Sequence, residues 1–442
     1  MSHASSRREF LQRALAAGTA IPVISSLNAL PALANVKRGA PSERIQIGVV
    51  GCAGRGKANV DAVSHEQIVA FCDIDANRVA ATKADLLAKK RVPADVATYK
   101  DFRELLDRKD LDAIVVATPD HMHAFPAVRG MRQGLHCYSE KPLAHSVHEV
   151  RTMRETAKAN KCVTQMGTQI HSGDNYRRVV EIVRSGALGK IRRVHVWMGG
   201  TPHTDGVRVK TAKPPAHIDY DLWLGPAPFR PFHPSHFHFN WRYWFDFGGG
   251  VLADFGCHFM DLPHWALGLR NALTIEATAG KHHDGQNDVP AKLRVEYHYP
   301  ARGALPPVHL TWYHGGWKPD GAEKYDKGSA VLFEGEHGRL LADYHSKKLF
   351  LDKEQDDAAR KIESIPNSIG HHREWLGAIR TSGETTCNFD YSGALAETVL
   401  LGNVSHRLGG KKLEWDDKNL KATNLPQAAK LVRREYRKGW VL

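Results

Sequence analysis

The sequence predicts an α/β protein in two parts: a doubly wound parallel sheet first, then an α+β domain built on a largely antiparallel sheet. Three observations predict it. Through residues 44 to 160, apolar strand-like runs alternate with helical patterns, as in a parallel sheet covered by helices on both faces. The first of these runs ends in a glycine-rich turn that opens a helix. From about residue 190 the runs instead follow one another, separated by Gly, Pro and Asn, which reads as antiparallel strands.

Taken in order, the chain begins with Arg7-Arg8 and an apolar, alanine-rich run. Gly18, Pro22, Ser25, Ser26, Asn28 and Pro31 interrupt that run too often for a spanning helix, which needs about 20 mainly apolar residues. Paired arginines, then an apolar stretch, then the small-x-small Ala32-Leu33-Ala34 have the layout of a twin-arginine export signal. The expectation is a signal peptide over 1–34, recognition by the twin-arginine translocase, and an exported, periplasmic protein with no stable membrane insertion. That route carries folded proteins, so a cofactor can travel inside.

After a linker, "RIQIGVV" reads as a strand, "GCAGRG" as the turn, and "QIVAFCD" as a second strand. "ANRVAATKADLLAKK" is helical, "LDAIVVATP" a strand ending in a loop, "FPAVRGMRQG" helical, and "LHCYSEKP" a strand and loop. This places a parallel-sheet α/β domain at 35–165 and a second, α+β domain at 166–442. In the second domain, "KIRRVHVWMG", "LTIEATAG", "AKLRVEYHYP", "PVHLTWYHG" and "AVLFEGEHGRLLAD" are the strands. Residues 200 to 250, rich in His, Pro, Trp and Phe, lack a regular pattern, and a long irregular segment in a compact domain is usually functional.

Composition narrows the partners. The 442 residues carry a formal charge of +13, but the basic residues are scattered, with no basic arm or RNA-binding motif, so nucleic acid is not expected. The six cysteines include no C-x-x-C pair and read as small buried hydrophobes without a disulfide.

Chemistry enters with "GVVGCAGRG". Gly51 and Gly56 match the first and third glycines of the Rossmann fingerprint, while Ala53 and Gly54 leave room for the backbone to approach a pyrophosphate at the helix N-terminus. Asp73 lies 22 residues after Gly51, at the end of the second strand, where a carboxylate accepts the ribose hydroxyls. It favours NAD over NADP, a preference that nearby Arg78 softens. Asp73 could instead cap the following helix.

These residues, with "ATPDHMHA", Glu140-Lys141-Pro142 and "GGGVLADFGCHFMD", resemble the Gfo/Idh/MocA oxidoreductase family over essentially the whole chain after residue 34. The resemblance implies NAD(P)-dependent hydride transfer at a carbohydrate or polyol hydroxyl. Lys141 matches the lysine beside the nicotinamide and the reacting hydroxyl. Asp254 and His258 match substrate-binding positions, the histidine being the family's acid/base candidate, and i,i+4 spacing on a helix would let both meet one substrate. Thr118, Pro119 and His123 match the loop beside the cofactor, and Gln169 and Tyr176 match positions beside the site. His171 stands where arginine is expected. The resemblance also implies a homo-oligomer through the second sheet and no metal.

Trp241 and Arg242 are candidates for a sugar pocket, with core packing as the alternative for the aromatics. His233, His236 and His238 have a spacing that suggests a metal, but the expected reading is a histidine-rich surface loop. Outside the cytoplasm free NAD is not regenerated, so the cofactor should be retained and recycled. The expected function is a carbohydrate oxidoreductase with internally recycled cofactor. The alternatives are an NAD-dependent glycosidase that oxidises, eliminates, hydrates and reduces, and a non-catalytic sugar-binding protein.

Overall fold

The computed structural model describes residues 44–200, 210–281, 285–352 and 364–442. Arg7, Arg8 and the whole expected signal peptide lie outside the described residues.

Six parallel strands form the first sheet: β1 (Gln46–Val50), β2 (Gln67–Cys72), β3 (Ala97–Tyr99), β4 (Ala113–Val116), β5 (His136–Ser139) and β6 (Thr164–Met166), in the order β3-β2-β1-β4-β5-β6. The order reverses between β1 and β4, where the carboxyl ends of neighbouring strands diverge and leave a crevice. The strands are short and apolar on both faces because helices cover both. Helices Arg55–Val63 and Ala76–Ala88 pack on one face, and Ala124–Arg132 and Val147–Ala159 on the other. A later segment returns to the first face: helix His371–Thr381 places Trp375, Leu376 and Ala378 in the same apolar cluster as Ile47, Val49 and Phe71.

The second sheet has nine strands: β7 (Ile191–Met198), β8 (Thr274–Ala279), β9 (Leu293–Tyr299), β10 (Val308–His314), β11 (Ala330–Gly335), β12 (Gly338–Ala342), β13 (Lys347–Leu351), β14 (Leu413–Asp416) and β15 (Lys421–Ala422). Their order is β13-β12-β11-β7-β10-β9-β8-β14-β15, antiparallel throughout except for the parallel pair β7 and β10. Along β9, Leu293, Val295, Tyr297 and Tyr299 point into the core while the residues between them are more exposed, so at this end of the sheet one face is packed and the other open. Across β7, β10, β11 and β12 the second face carries its own buried cluster of Trp197, Tyr313, Ala330, Leu332 and Leu341.

Helix Phe389–Arg407 lies over the packed face and is buried on nearly every side. Its Glu397 binds Arg151 and Arg154 of helix Val147–Ala159, which ties the two sheets together. The six cysteines are free, five of them buried.

Candidate active site

The glycine turn follows from what the backbone must do there. A Cβ at Gly56 would lie 2.0 Å from the carbonyl oxygen of Gly51, so the helix can approach the strand this closely only with glycine. Gly54 has φ +55°, and a Cβ there would find only Arg78 Nη1, at 3.8 Å. Its backbone is exposed and no side chain caps the start of helix Arg55–Val63, so a pyrophosphate can approach the helix N-terminus.

One cavity of about 720 Å³ runs across the carboxyl ends of β1, β2, β4 and β5. Of the residues singled out from the sequence, Gly51, Ala53, Gly54, Asp73, Arg78, Thr118, Pro119, His123, Glu140, Lys141, Gln169, His238, Trp241, Arg242 and His258 line it. The crevice, the open glycine turn and an acceptor at the end of β2 fit a dinucleotide. Asp73 accepts hydrogen bonds from the backbone N–H groups of Cys52 (3.1 Å) and Asp75 (3.2 Å), and burial raises its carboxyl pKa. The cap of the following helix is Asp75, not Asp73. Asp73→Ala is therefore expected to weaken NAD binding more than NADP binding, read by titrating each cofactor. A fall in NADP affinity as large as that for NAD would detach Asp73 from the ribose.

At the other end, the loop after β5 carries Glu140 and Lys141. Glu140 is buried and accepts from Arg55 Nε (3.1 Å), Asn59 Nδ2 (2.9 Å) and Gln169 Nε2 (3.0 Å). The His123 ring nitrogens lie 2.7 Å from the Thr118 carbonyl and 2.8 Å from that of Pro142, stapling the loop after β4 to the loop that presents Lys141. Lys141 donates to the carbonyl of Asp254 at 2.7 Å and to its carboxylate. Arg242 Nε is 3.2 Å from the same carboxylate. Burial alone would raise the Asp254 carboxyl, but Lys141 and Arg242 hold it at about 2. Asp254 thus lies behind the cavity wall and positions the two cations that face it.

His258, one turn along helix Gly250–Phe259, does line the cavity. Burial, reinforced by Lys141, lowers its imidazolium to about 3, so the ring is neutral at physiological pH and available as a base.

Two expectations need correction. Tyr176 does not meet substrate: it is fully buried on the apolar face of helix Asp174–Arg184, and its hydroxyl donates to the His258 carbonyl at 3.1 Å. His233 and His236 are not on a surface loop either. They are 5% and 3% exposed, and His236 stacks on Trp223 with an interplanar angle of 6°. The aromatic density of the segment drives this, since its Trp and Phe side chains form their own cluster and the imidazoles complete it. Among the described residues, the groups that bring three metal-type donors together are His171 with Asp261 and Cys387, and Glu296 with His298 and His309; neither involves residues 233–238. His171, in place of the expected arginine, is buried against Asp261 at 2.9 Å.

Trp241 is 5% exposed, with the Arg242 guanidinium 4.1 Å from its ring centroid. Phe239, 47% exposed and with its ring centroid 4.4 Å from the same guanidinium, also lines the cavity and offers it an aromatic face. Sequence reasoning missed Phe239, Arg55, Trp440 and Asp120, all of which line the cavity. The segment "TPDHMH" held the signal for Asp120, an acid beside the cofactor loop. Trp440 offered no local signal, because it reaches the cavity only through the fold of the C-terminal tail.

The comparisons agree with this geometry. Residues 45–168 match the family model described as "Oxidoreductase family, NAD-binding Rossmann fold", and residues 177–442 match "Oxidoreductase family, C-terminal alpha/beta domain". A glycosyl hydrolase family 109 protein of Solibacter usitatus is 30% identical over 194 residues, 42% of this chain and 44% of the relative. An alpha-N-acetylgalactosaminidase of Shewanella oneidensis is 30% identical over 154 residues, 34% of each chain. The chain thus spans less than half the length of these curated relatives. Among solved structures, the WlbA dehydrogenase of Bordetella pertussis in complex with NADH and UDP-GlcNAcA superposes with TM-score 0.61 at 16% identity, over 85% of this chain and 98% of that one. The aldose-aldose oxidoreductase of Caulobacter crescentus gives 0.58 at 15%, over 84% and 100%. At such identities these two share the fold. The second family model alone spans more than half of the 442 residues, and the chain belongs to the Gfo/Idh/MocA oxidoreductase family.

Proposed function

We propose that this protein oxidises a hydroxyl of a carbohydrate by hydride transfer within the cavity and keeps its cofactor from turnover to turnover. The observation that carries the reading is the convergence of Lys141 and His258 on the cavity that begins at the glycine turn. NAD bound there supplies a hydride acceptor and later a donor. The neutral His258 accepts the hydroxyl proton, Lys141 holds the oxygen and stabilises its developing charge, and Asp254 fixes the Lys141 ammonium. Phe239 offers a ring face for the sugar.

A second reading, redox-neutral cleavage of a glycoside, is favoured by the relatives of glycosyl hydrolase family 109. Oxidation of a ring hydroxyl acidifies the neighbouring C–H, permits elimination of the glycosidic substituent, and ends with water addition and return of the hydride. Product analysis separates the two: accumulating oxidised sugar supports net redox chemistry, and released alcohol with unoxidised sugar supports hydrolysis.

Cofactor retention has support in the segment from the second domain that crosses the cofactor crevice. The Ala76 N–H donates to the His217 carbonyl at 2.9 Å, and the Asp219 N–H donates to the Ile74 carbonyl at 2.9 Å. From the C-terminal tail, Trp440 reaches the cavity beside Phe102. Retention suits a protein exported through the twin-arginine translocase to the periplasm, and the open face of the second sheet suits self-association. Replacing Arg7 and Arg8 with lysine is expected to leave a folded, NAD-loaded precursor in the cytoplasm, measured by fractionation. Undiminished export would remove the twin-arginine route and the reason for recycling.

A further inference from the structure

The mechanism above leaves Asp120 without a task, although it is 3% exposed and lines the reaction cavity. It opens the short turn Asp120–Met122, directly after Thr118-Pro119. The turn is pinned from the second domain. The His121 ring has one nitrogen 2.8 Å from the Trp223 carbonyl and the other 3.3 Å from that of Phe247, whose oxygen also accepts the His121 backbone N–H at 3.2 Å. Asp120 therefore has a fixed place at the junction of the domains.

Three elements send charged or titratable groups toward it. Arg242 comes from the turn Asn240–Tyr243, Lys141 from the loop after β5, and Asp254 with the Cys257 thiol from helix Gly250–Phe259. Lys141 and Arg242 are each already paired with Asp254. Asp120 is the further carboxyl against that cluster.

We propose that Asp120 is the general acid that protonates the departing glycosidic oxygen, a role that rests on the glycoside-cleaving reading above. Once a ring hydroxyl has become a ketone, a base removes the proton from the adjacent carbon. The electron pair of that C–H bond forms a carbon–carbon double bond, the bond to the glycosidic oxygen breaks, and that oxygen leaves as an alcohol with the proton of Asp120. Water then adds to the same carbon, losing a proton to the Asp120 carboxylate, while the base returns its proton to the neighbouring carbon. The hydride removed at the start returns to the ketone, so the net reaction is hydrolysis.

The tuning of the site agrees with this division of labour. Asp254 is held ionised and carries no acidic proton near neutrality, and the proton that the neutral His258 takes from the ring hydroxyl is the one returned to the ketone oxygen with the hydride. Burial raises the Asp120 carboxyl to about 8, against the lowering by Arg242 and Lys141 and with the help of Asp254. An acid must be protonated to donate, so activity that depends on it should be present below that value and fall as pH rises through it.

The test uses the NAD-loaded protein with methyl and 4-nitrophenyl α-N-acetylgalactosaminide as probes. Asp120→Asn is expected to lose at least about 100-fold in release of methanol, and far less in release of nitrophenol, which leaves without protonation. Any loss in NADH formation in a single turnover should be much smaller than the loss in methanol release, because the hydride leaves before the step in which Asp120 donates its proton. The fall of the wild-type methyl glycoside rate above about pH 8 should be absent from the variant, and Asp120→Glu should recover much of the lost rate. Wild-type methanol release by Asp120→Asn, or an equal loss in its NADH formation, would overturn the assignment of Asp120 alone. Release of neither alcohol by the wild-type protein would overturn the glycoside reading and the proposal with it.

Discussion

Lys141→Met and His258→Ala are each expected to leave NAD bound while lowering hydride transfer by at least about 100-fold and as much as about 10,000-fold. The two residues act on one hydroxyl proton, so the double variant should be little slower than the worse single one, since groups that act as a unit fail together. The measurement is NADH formation in a single turnover of NAD-loaded protein mixed with sugar. His258 is already neutral down to about 3 in the free protein, so acidification from neutrality to about pH 5 should not reduce the rate through this residue. Wild-type NADH formation by the His258 variant would exclude it as the base. The same result for Lys141→Met would leave the lysine only a role in shaping the loop. Asp254 differs from both: it faces the cations and not the cavity, so Asp254→Asn should act by misplacing Lys141 and Arg242.

What the sequence disclosed about this site was whatever local geometry imposes on it. Gly56 is legible because no other residue lets the helix approach Gly51 so closely. Asp254 and His258 are legible because helical spacing puts them one turn apart. The roles within that pair were not, since spacing does not reveal that Lys141 and Arg242 would close on the carboxylate from two other elements. Tyr176 had a readable signal. Tyr176, Val179, Val180 and Val183 are the buried stripe of one helix, which points the tyrosine into the core. For Asp120 the motif disclosed an acid beside the cofactor loop but not its burial, which depends on Trp223 and Phe247 packing over the β4 loop. The histidines at 233 and 236 were misjudged for a related reason: a His among Trp and Phe packs with them when the segment collapses on itself.

The larger expected effect on stability comes from Glu397→Ala. Glu397 is 1% exposed and meets Arg151 through two hydrogen bonds of 2.9 Å, and Arg154 through one of 3.0 Å. Both arginine side chains are 14% exposed, and each has a second, more exposed partner, Asp417 for Arg151 and Asp390 for Arg154. Removing Glu397 takes away the carboxylate that both guanidinium groups share while leaving the groups themselves largely out of water. Breaking a buried ion pair from one side typically costs about 3–5 kcal/mol, because the remaining charge has lost its compensation. The residual partners Asp417 and Asp390 place the expected loss toward the lower end, about 3 kcal/mol. Glu397→Gln should cost less, since the amide oxygen still accepts from one guanidinium. The network joins the helix over the second sheet to a helix of the first, so the loss should appear in the cooperative unfolding of both domains, followed by denaturant titration of the NAD-free protein. An unchanged midpoint for Glu397→Ala would mean that the two domains are held together by apolar packing alone, with the ion pairs only offsetting their own desolvation.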